Sequence, residues 1–437
     1  MQRFETHSHS DASNIRLLDS VNTVKGLINR AVKLGLAGIA LTDHETLSNC
    51  PEAAFYAEEI RKNNPNFKVA LGNEIYLCDA RDMGQKYYHF ILIARNLNGW
   101  RALRELSSRA WLNSYWDRGL ERVVTLKSDL EEIVAKYPNS LIAATACLGG
   151  ELSTRVSNML DAEAVFDSTT RANEHESIVN FMLWCKELFQ DDFYIECAPA
   201  TSRDQVRVNK KLINISEAFG VKMIIGSDAH YLSKEDRYVH KAYLNSKGGE
   251  REVDSFYEFS YLQSDEEIRE HLAKSYTEDI INWMYENSLQ IYDKIEVYDI
   301  RHKQRIPKVE VPYCPKTNTL WEEQEKYPTL YDMTQSEDKV ERYWVTECLQ
   351  QLKTLGKDND IYLSRLEEEA DIKRTISDKL ETNMFAYPVT LKHYINLFWT
   401  CGSMVGAGRG SSCSGLNHYL LGVTQLDPIE WGLPFWR

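Results

Sequence analysis

Between residues 1 and about 232, short apolar runs alternate with stretches of helical periodicity, and this alternation limits the fold more than any other feature of the chain. The apolar runs are RFETHSH (3–9), AGIALTD (37–43), FKVALGNEIYL (67–77), YYHFILIA (87–94), SLIAATA (140–146), FYIEC (193–197) and KMIIG (222–226). Helix-like segments lie between most of them, at 23–34, 51–62, 100–116, 174–189 and 205–219. Ser128, with Glu131 three residues on, reads as a capping box opening a helix over 129–137. A strand that is followed by a helix returns to a parallel neighbour, so the pattern predicts a parallel sheet, and seven such strands predict an α/β barrel.

At 437 residues the chain is too long for one ordinary domain. From about 233 to 300 the pattern becomes helical, and RHKQRIPKVEVPYCP (301–315) reads as an extended, proline-marked connection. The expected division is therefore 1–300, with the barrel over about 1–232 and a helical extension over 233–300, followed by 301–437. Within the second part, 336–356 and 364–383 are amphipathic helices, and the end carries the glycine-rich GAGRGSSCSGLNHYLLGVTQLDP. No internal repeat is present.

The ends of the candidate strands carry the chemistry. The first ends HSHSD, with His7 and His9 two apart and so on one side of an extended chain. The second ends LTDHE with Asp43 and His44, the third contains Glu74, the fourth carries His89 and the fifth runs into Cys147. The last, IIGSDAHYL, runs into Asp228 and His230, again two apart. Taken alone, Asp228 could cap the next helix and His230 could be a hydrogen-bonded loop residue. Imidazoles, carboxylates and a thiol at one end of successive barrel strands point instead to a metal site, because chemistry in barrels collects on the carboxyl-terminal face. Histidine and carboxylate suit Zn²⁺, Mn²⁺ or Fe²⁺, with the thiol favouring zinc. So many ligand types exceed one ion, and a polynuclear centre suits hydrolysis of phosphate esters.

The net charge of −14 excludes a protein coated in positive potential, so any nucleic-acid contact is expected to be local. Nine scattered cysteines without a CxxC pair suggest a reduced, intracellular protein. No stretch approaches 18 apolar residues and the N-terminus has no apolar signal segment, which predicts a cytoplasmic protein with no membrane partner.

The ordered motifs HSHSD, ALTDH, GNE, YYHFILIARNLNGW, ACLGGEL, FYIE and SDAHY resemble the polymerase and histidinol phosphatase (PHP) domain of bacterial or phage replicative DNA polymerase III alpha subunits. The stretch YPVTLKHYINLFWTCGSMVGAGRGSSCSGLNHYLLGVTQLDPIEWGLPF resembles the beginning of that family's palm. The resemblance implies a distorted seven-stranded β/α barrel, a mainly helical partial palm and two or three divalent ions (Zn, Mn or Fe). It implies that His7, His9, Glu74 and Asp228 hold the first ion. Glu74 bridges to a second that also takes His89 and Cys147, and Asp19, His44 and His230 hold a third. SNIRLLDS is longer than the family's usual spacing, so Asp11 competes with Asp19. Asp43 takes an orienting role behind the ligands. Glu74, Asp228 and His230 are the expected catalytic groups of a 3′–5′ exonuclease.

The loop GAGRGSS (406–412) is a glycine-rich turn, and the resemblance makes Gly408, Arg409, Gly410, Ser411 and Ser412 a cradle for the triphosphate of an incoming dNTP. The family's Asp-x-Asp pair, which binds Mg²⁺ for polymerisation, has no match after Arg409. The expectation is either an excised N-terminal portion of a polymerase or a polymerase split between polypeptides. Its implied partners are primer-template DNA, the remaining C-terminal portion as a separate chain, and replisome proteins such as the clamp and proofreading subunits. Alternatives are a noncatalytic PHP scaffold and a stand-alone PHP phosphatase.

Overall fold

A computed structural model describes residues 2–15, 18–82, 84–117, 119–246, 257–303 and 305–435. The chain divides into two compact units, Met1–Arg301 and His302–Arg437.

Among the described residues of the first unit ten strands form: β1 Phe4–Glu5, β2 Gly38–Leu41, β3 Lys68–Cys78, β4 Tyr88–Ala94, β5 Tyr115–Asp117, β6 Leu120–Arg122, β7 Thr125–Leu126, β8 Leu141–Ala144, β9 Phe193–Cys197 and β10 Met223–Ile225. Seven of them make one curved sheet in the order β1-β2-β3-β4-β8-β9-β10, with β7 added beside β3 and β5–β6 a separate hairpin. A parallel bridge between Ser8 and Ala229, with His9 N donating to Ala229 O at 3.0 Å, joins the last strand's continuation to the first. The sheet is thus a nearly closed barrel.

Alternation along the strands sorts the side chains. Phe4, Ala40, Ala70, Ile91, Ile93, Ile142, Ala144, Tyr194 and Ile224 fill the interior together with Ile291 and Ile295. The opposite parity, including Ile39, Leu71, Leu92, Phe193 and Ile225, packs under the surrounding helices. Those helices are capped as their sequences suggest. Thr23 accepts from Gly26 N at the start of Val24–Lys33, and Ser202 accepts from Gln205 N at the start of Arg203–Phe219, which ends on left-handed Gly220.

Several sequence expectations need correction. The sheet is not wholly parallel: β4 runs antiparallel to both β3 and β8, because the 79–87 connection is too short for a crossover helix. The first strand pairs only over Phe4–Glu5, and residues 6–9 continue without ladder partners except at Ser8. Ser128 caps nothing: it lies inside the helix Lys127–Lys136, whose N-cap position is Leu126 without a side-chain bond. The helix expected over 100–116 runs from Leu97 to Leu112, as the β-prone residues 115–117 leave it for the hairpin. A further helix, Glu151–Ala164, lies outside the helical segments expected from the sequence. The helical reading of 233–300 holds for Arg237–Leu244, Asp265–Leu272 and Glu278–Lys294, while 247–256 lie outside the described residues.

The second unit is helical: Pro328–Gln335, Lys339–Leu355, Asp360–Leu380, Ala386–Thr400 and the short Leu416–Leu420. Asp338 and Asn359 cap two of these helices through side-chain oxygens. Leu330, Trp344, Leu352, Leu366, Phe385 and Leu416 form its core.

Candidate metal centre

The interior parity of the strands continues upward into polar residues. Glu74 lies four residues after Ala70 on β3, Glu196 two after Tyr194 on β9, and His89 two before Ile91 on β4, so all three point into the barrel. His89 is near the amino end of its strand, yet the reversal of β4 brings it to the mouth where the other strands end. Above them, His7 and His9 follow β1, His44 follows β2, and Asp228 and His230 follow β10.

Among the described residues three groups of ligand atoms converge, each within 4.8 Å: His7, His9, Glu74 and Asp228; His44, Glu74 and His89; and His9, His44 and His230. The Nε2 atoms of His7 and His9 are 3.0 Å apart, and each lies 3.2 Å from Asp228 Oδ1. His89 Nδ1 is 3.0 Å from Glu74 Oε1, with Cys147 Sγ 3.7 Å from the same nitrogen. Asp19 Oδ2 lies 2.8 Å from His44 Nε2 and 3.2 Å from His230 Nε2. Asp11 stands apart, exposed and accepting from Asn49 Nδ2 at 2.8 Å. One sequence argument fails in detail: Asp228 is left-handed at φ 46°, so strand alternation does not align it with His230. The His230 ring is set instead by the Asp228 carbonyl, 2.8 Å from Nδ1.

A layer of residues behind the cluster fixes it. Asp43 accepts from Ser10 N, Ser10 Oγ and Ser13 Oγ at 2.6, 2.7 and 2.8 Å, tying the loop after β1 to the end of β2. Glu5, paired with Arg3, accepts from His7 N at 3.1 Å and from Ser227 N and Oγ at 2.9 and 2.5 Å. Tyr257 donates to Asp19 Oδ1 at 2.6 Å. Sequence reasoning missed Glu196, whose Oε1 lies 2.6 Å from His7 Nδ1. Its signal was a carboxylate inside the apolar run FYIEC, two positions from an inward tyrosine. Gly226 makes room for it: a Cβ there would stand 2.2 Å from Glu196 Cδ.

The electrostatics follow from burial against pairing. Burial alone would lower the His7 pKa, but Glu196, Asp228 and Glu74 outweigh it and raise it well above the imidazole range. Burial and the neighbouring His44 and His230 push His9 down to about 3. Burial would raise Glu74, yet His89, His44 and His7 hold it well below the carboxylate range. The Cys147 thiol is pushed far up by burial and by Asp228 and Glu74.

The donor set fits cations. Glu74 Oε2, Asp228 Oδ1 and His44 Nδ1 are buried and make no hydrogen bond. His44 Nδ1 lies 2.7 Å from Glu74 Oε2, but off the line that a hydrogen bond needs. Buried carboxylate oxygens without donors are costly, and lone pairs that face one another across such distances are what a bound ion satisfies.

In the second unit, Gly408 has φ 137°, and a Cβ there would meet Cys413 Sγ at 2.7 Å. Gly410 is also left-handed, at φ 59°. Arg409 and Ser411 are exposed, and Ser412 Oγ donates to Arg409 O at 2.6 Å. The loop's far side is held by buried Glu369, which accepts from Leu416 N and Asn417 N at 2.7 and 2.9 Å. No helix among the described residues is long and apolar enough to cross a membrane.

Residues 5–200 match the PHP domain family, and residues 322–437 match the family described as bacterial DNA polymerase III alpha NTPase domain. The chain is 39% identical to Probable DNA polymerase YorL of Bacillus subtilis (strain 168), over 99% of this chain and 35% of that protein. It is 29% identical to DNA polymerase III subunit alpha of Borreliella burgdorferi, over 99% of this chain and 33% of that one. The chain thus spans about a third of the length of these curated relatives. A solved histidinol phosphate phosphatase of Lactococcus lactis, complexed with zinc, L-histidinol and phosphate, covers 57% of this chain and 95% of its own. At 12% identity and TM-score 0.28, it is too distant to inform the site.

Proposed function

This chain belongs to the DNA polymerase III alpha family, with a PHP domain followed by the family's NTPase domain, and from that premise we propose that its barrel is a metal-dependent phosphodiesterase acting as a 3′–5′ exonuclease. The observation that carries the proposal is the set of buried, unbonded ligand atoms on Glu74, Asp228 and His44 at the barrel mouth. His7, His9, Glu74 and Asp228 would hold one ion, Glu74 with His89 and Cys147 a second, and Asp19, His44 and His230 a third. Zinc, manganese and iron suit these donors. Bound ions there supply charge neutralisation of phosphate oxygens and activation of water.

The chain's own residues do the positioning. Glu196 takes the hydrogen bond of His7 Nδ1–H, which leaves Nε2 facing Asp228 and Glu74. The Asp228 carbonyl orders His230 in the same way, leaving Nε2 toward Asp19. Burial would raise the Asp19 pKa, but the His230 and His44 imidazoles hold it well below the carboxylate range, and Tyr257 donates to its other oxygen. Glu74 faces four histidines at once, His7, His9, His44 and His89, so it is the natural shared carboxylate.

For the second unit, the reading is a nucleotide-triphosphate cradle built on Gly408, Arg409, Gly410, Ser411 and Ser412, with Mg²⁺ as the polymerisation ion. Because the chain spans about a third of its relatives' length, primer extension is proposed only for this chain together with the remaining polymerase portion and primer-template DNA.

The test measures bound metal by elemental analysis and release of nucleotides from a 3′-labelled single strand with Mn²⁺. Asp228→Asn keeps the side chain's volume and removes its charge. It is expected to lose bound metal and to lower hydrolysis by more than about a hundredfold while remaining folded. A variant as fast as the parent would place the activity elsewhere.

A further inference from the structure

The helix Leu97–Leu112 carries three arginines in different surroundings. Arg109 is held by Glu105 at 3.1 Å and by Glu132 at 2.7 Å. Arg101 and Arg104 have no carboxylate partner among the described residues. Arg101 reaches Asn98 Oδ1 at 3.0 Å, and Arg104 lies over the Trp100 ring at 5.9 Å. Residues 101, 104, 108 and 111 fall within about a quarter turn of one another at 3.6 residues per turn, so they form one stripe.

That stripe forms one wall of an open groove of about 770 Å³, with Ile15 and Ser48 among its other lining residues. The groove's edges are the loops that deliver the metal-ligand cluster. Ile15 lies between His9 and Asp19, and Thr46, Leu47 and Ser48 begin two residues after His44. Trp111 Nε1 donates to Glu45 O at 2.8 Å, and Glu45, left-handed at φ 54°, turns the chain from the cluster into the groove. With its N–H engaged, the Trp111 indole offers ring surface and not a donor. The groove therefore joins two guanidinium groups that have no carboxylate partner, hydroxyls and an aromatic ring to the mouth of the barrel, and the one carboxylate among its described lining residues, Glu105, is already engaged by Arg109 and Lys136.

We propose that this groove binds a single-stranded nucleic acid, its phosphates on Arg101 and Arg104 and a base against Trp111, and leads its 3′ end to the His/carboxylate cluster. Combined phosphate and stacking contacts are the usual means of holding a single strand without reading its sequence. The proposal rests on the exonuclease reading for the strand's direction, but not for its binding.

The test is fluorescence anisotropy of a labelled oligothymidylate of about 12 nucleotides, within the usual site sizes, titrated with the whole chain in chelator across a salt series. With no hydrolysis required, failure of the exonuclease reading leaves this measurement intact. Arg101→Ala with Arg104→Ala should raise Kd about tenfold. The slope of log K against log salt should become shallower by about 1.4, as each phosphate contact on a single strand contributes about 0.7. The thermal midpoint should stay at the parent's. Lys210→Ala with Lys211→Ala, on a helix that does not line the groove, should leave Kd unchanged. Parental affinity and slope in the arginine variant, or an equal loss in the lysine variant, would overturn the proposal.

Discussion

The barrel mouth and the glycine loop, both proposed above as phosphate sites, are built in two different ways. At the barrel mouth, His7, His9, Glu74 and Asp228 are buried side chains; Glu196 fixes the His7 ring from behind, and Glu5 and Asp43 tie down the backbone that carries the histidines. In the second unit, the 406–412 loop prepares little but backbone: Gly408 and Gly410 adopt conformations open to glycine, and Arg409 projects from the surface. The first arrangement concentrates like and unlike charges where water is excluded, so removing or adding a charge has large consequences. The second leaves its charged group in solvent, where a substitution changes little until a ligand arrives.

The largest effect that would separate the two regions is expected behind the cluster. Glu196→Gln preserves shape but weakens the acceptor for His7 Nδ1, and metal affinity should fall about 10- to 100-fold. Unchanged affinity in a metal titration of this variant would mean that the barrel site is no more pre-set than the loop.

The next is a dependence on pH. Without ions, His7 and His44 hold protons above the ordinary imidazole range, and Cys147 above the ordinary thiol range, whereas His9, lowered to about 3, is already neutral. Ions must displace the protons on the raised groups, so affinity should increase with pH from about 6.5 upward, about tenfold per unit for each proton released. Calorimetry with Mn²⁺ in buffers of differing ionisation heat counts those protons, and a flat profile would contradict the charge pattern described here.

The smallest effect is expected at the loop. Arg409→Ala should alter stability by no more than about 0.5 kcal/mol and leave metal content and hydrolysis at parental values, since the side chain is exposed. Thermal unfolding and elemental analysis check this, and a shift of several degrees would show that Arg409 is structural.

The barrel was legible because its strands are short apolar runs with helices between them, a pattern that burial on both faces imposes on sequence. Its closure was not, since the Ser8–Ala229 bridge joins residues far apart in the chain. The reversal of β4 was hidden for a related reason: YYHFILIA reads the same in either direction, and only pairing with β3 and β8 sets its sense. The ligand types stood out as histidines and carboxylates at the ends of apolar runs. Glu196 did not, because a single acid within FYIEC looks like a strand-edge residue until Tyr194 is seen to face inward.

Local periodicity and residue chemistry were enough to give the α/β alternation and the ligand-type residues His7, His9, His44, Glu74, His89, Cys147, Asp228 and His230, and the ordered motifs were enough to give the family. Tertiary structure alone decided that Asp19 and not Asp11 meets His44 and His230, and that Glu196 stands behind His7. It also set Arg101 and Arg104 along a groove whose edges deliver the cluster. The contacts of Asp19 and Glu196 depend on the first and last strands meeting, and long-range backbone pairing is not written in any short stretch of residues.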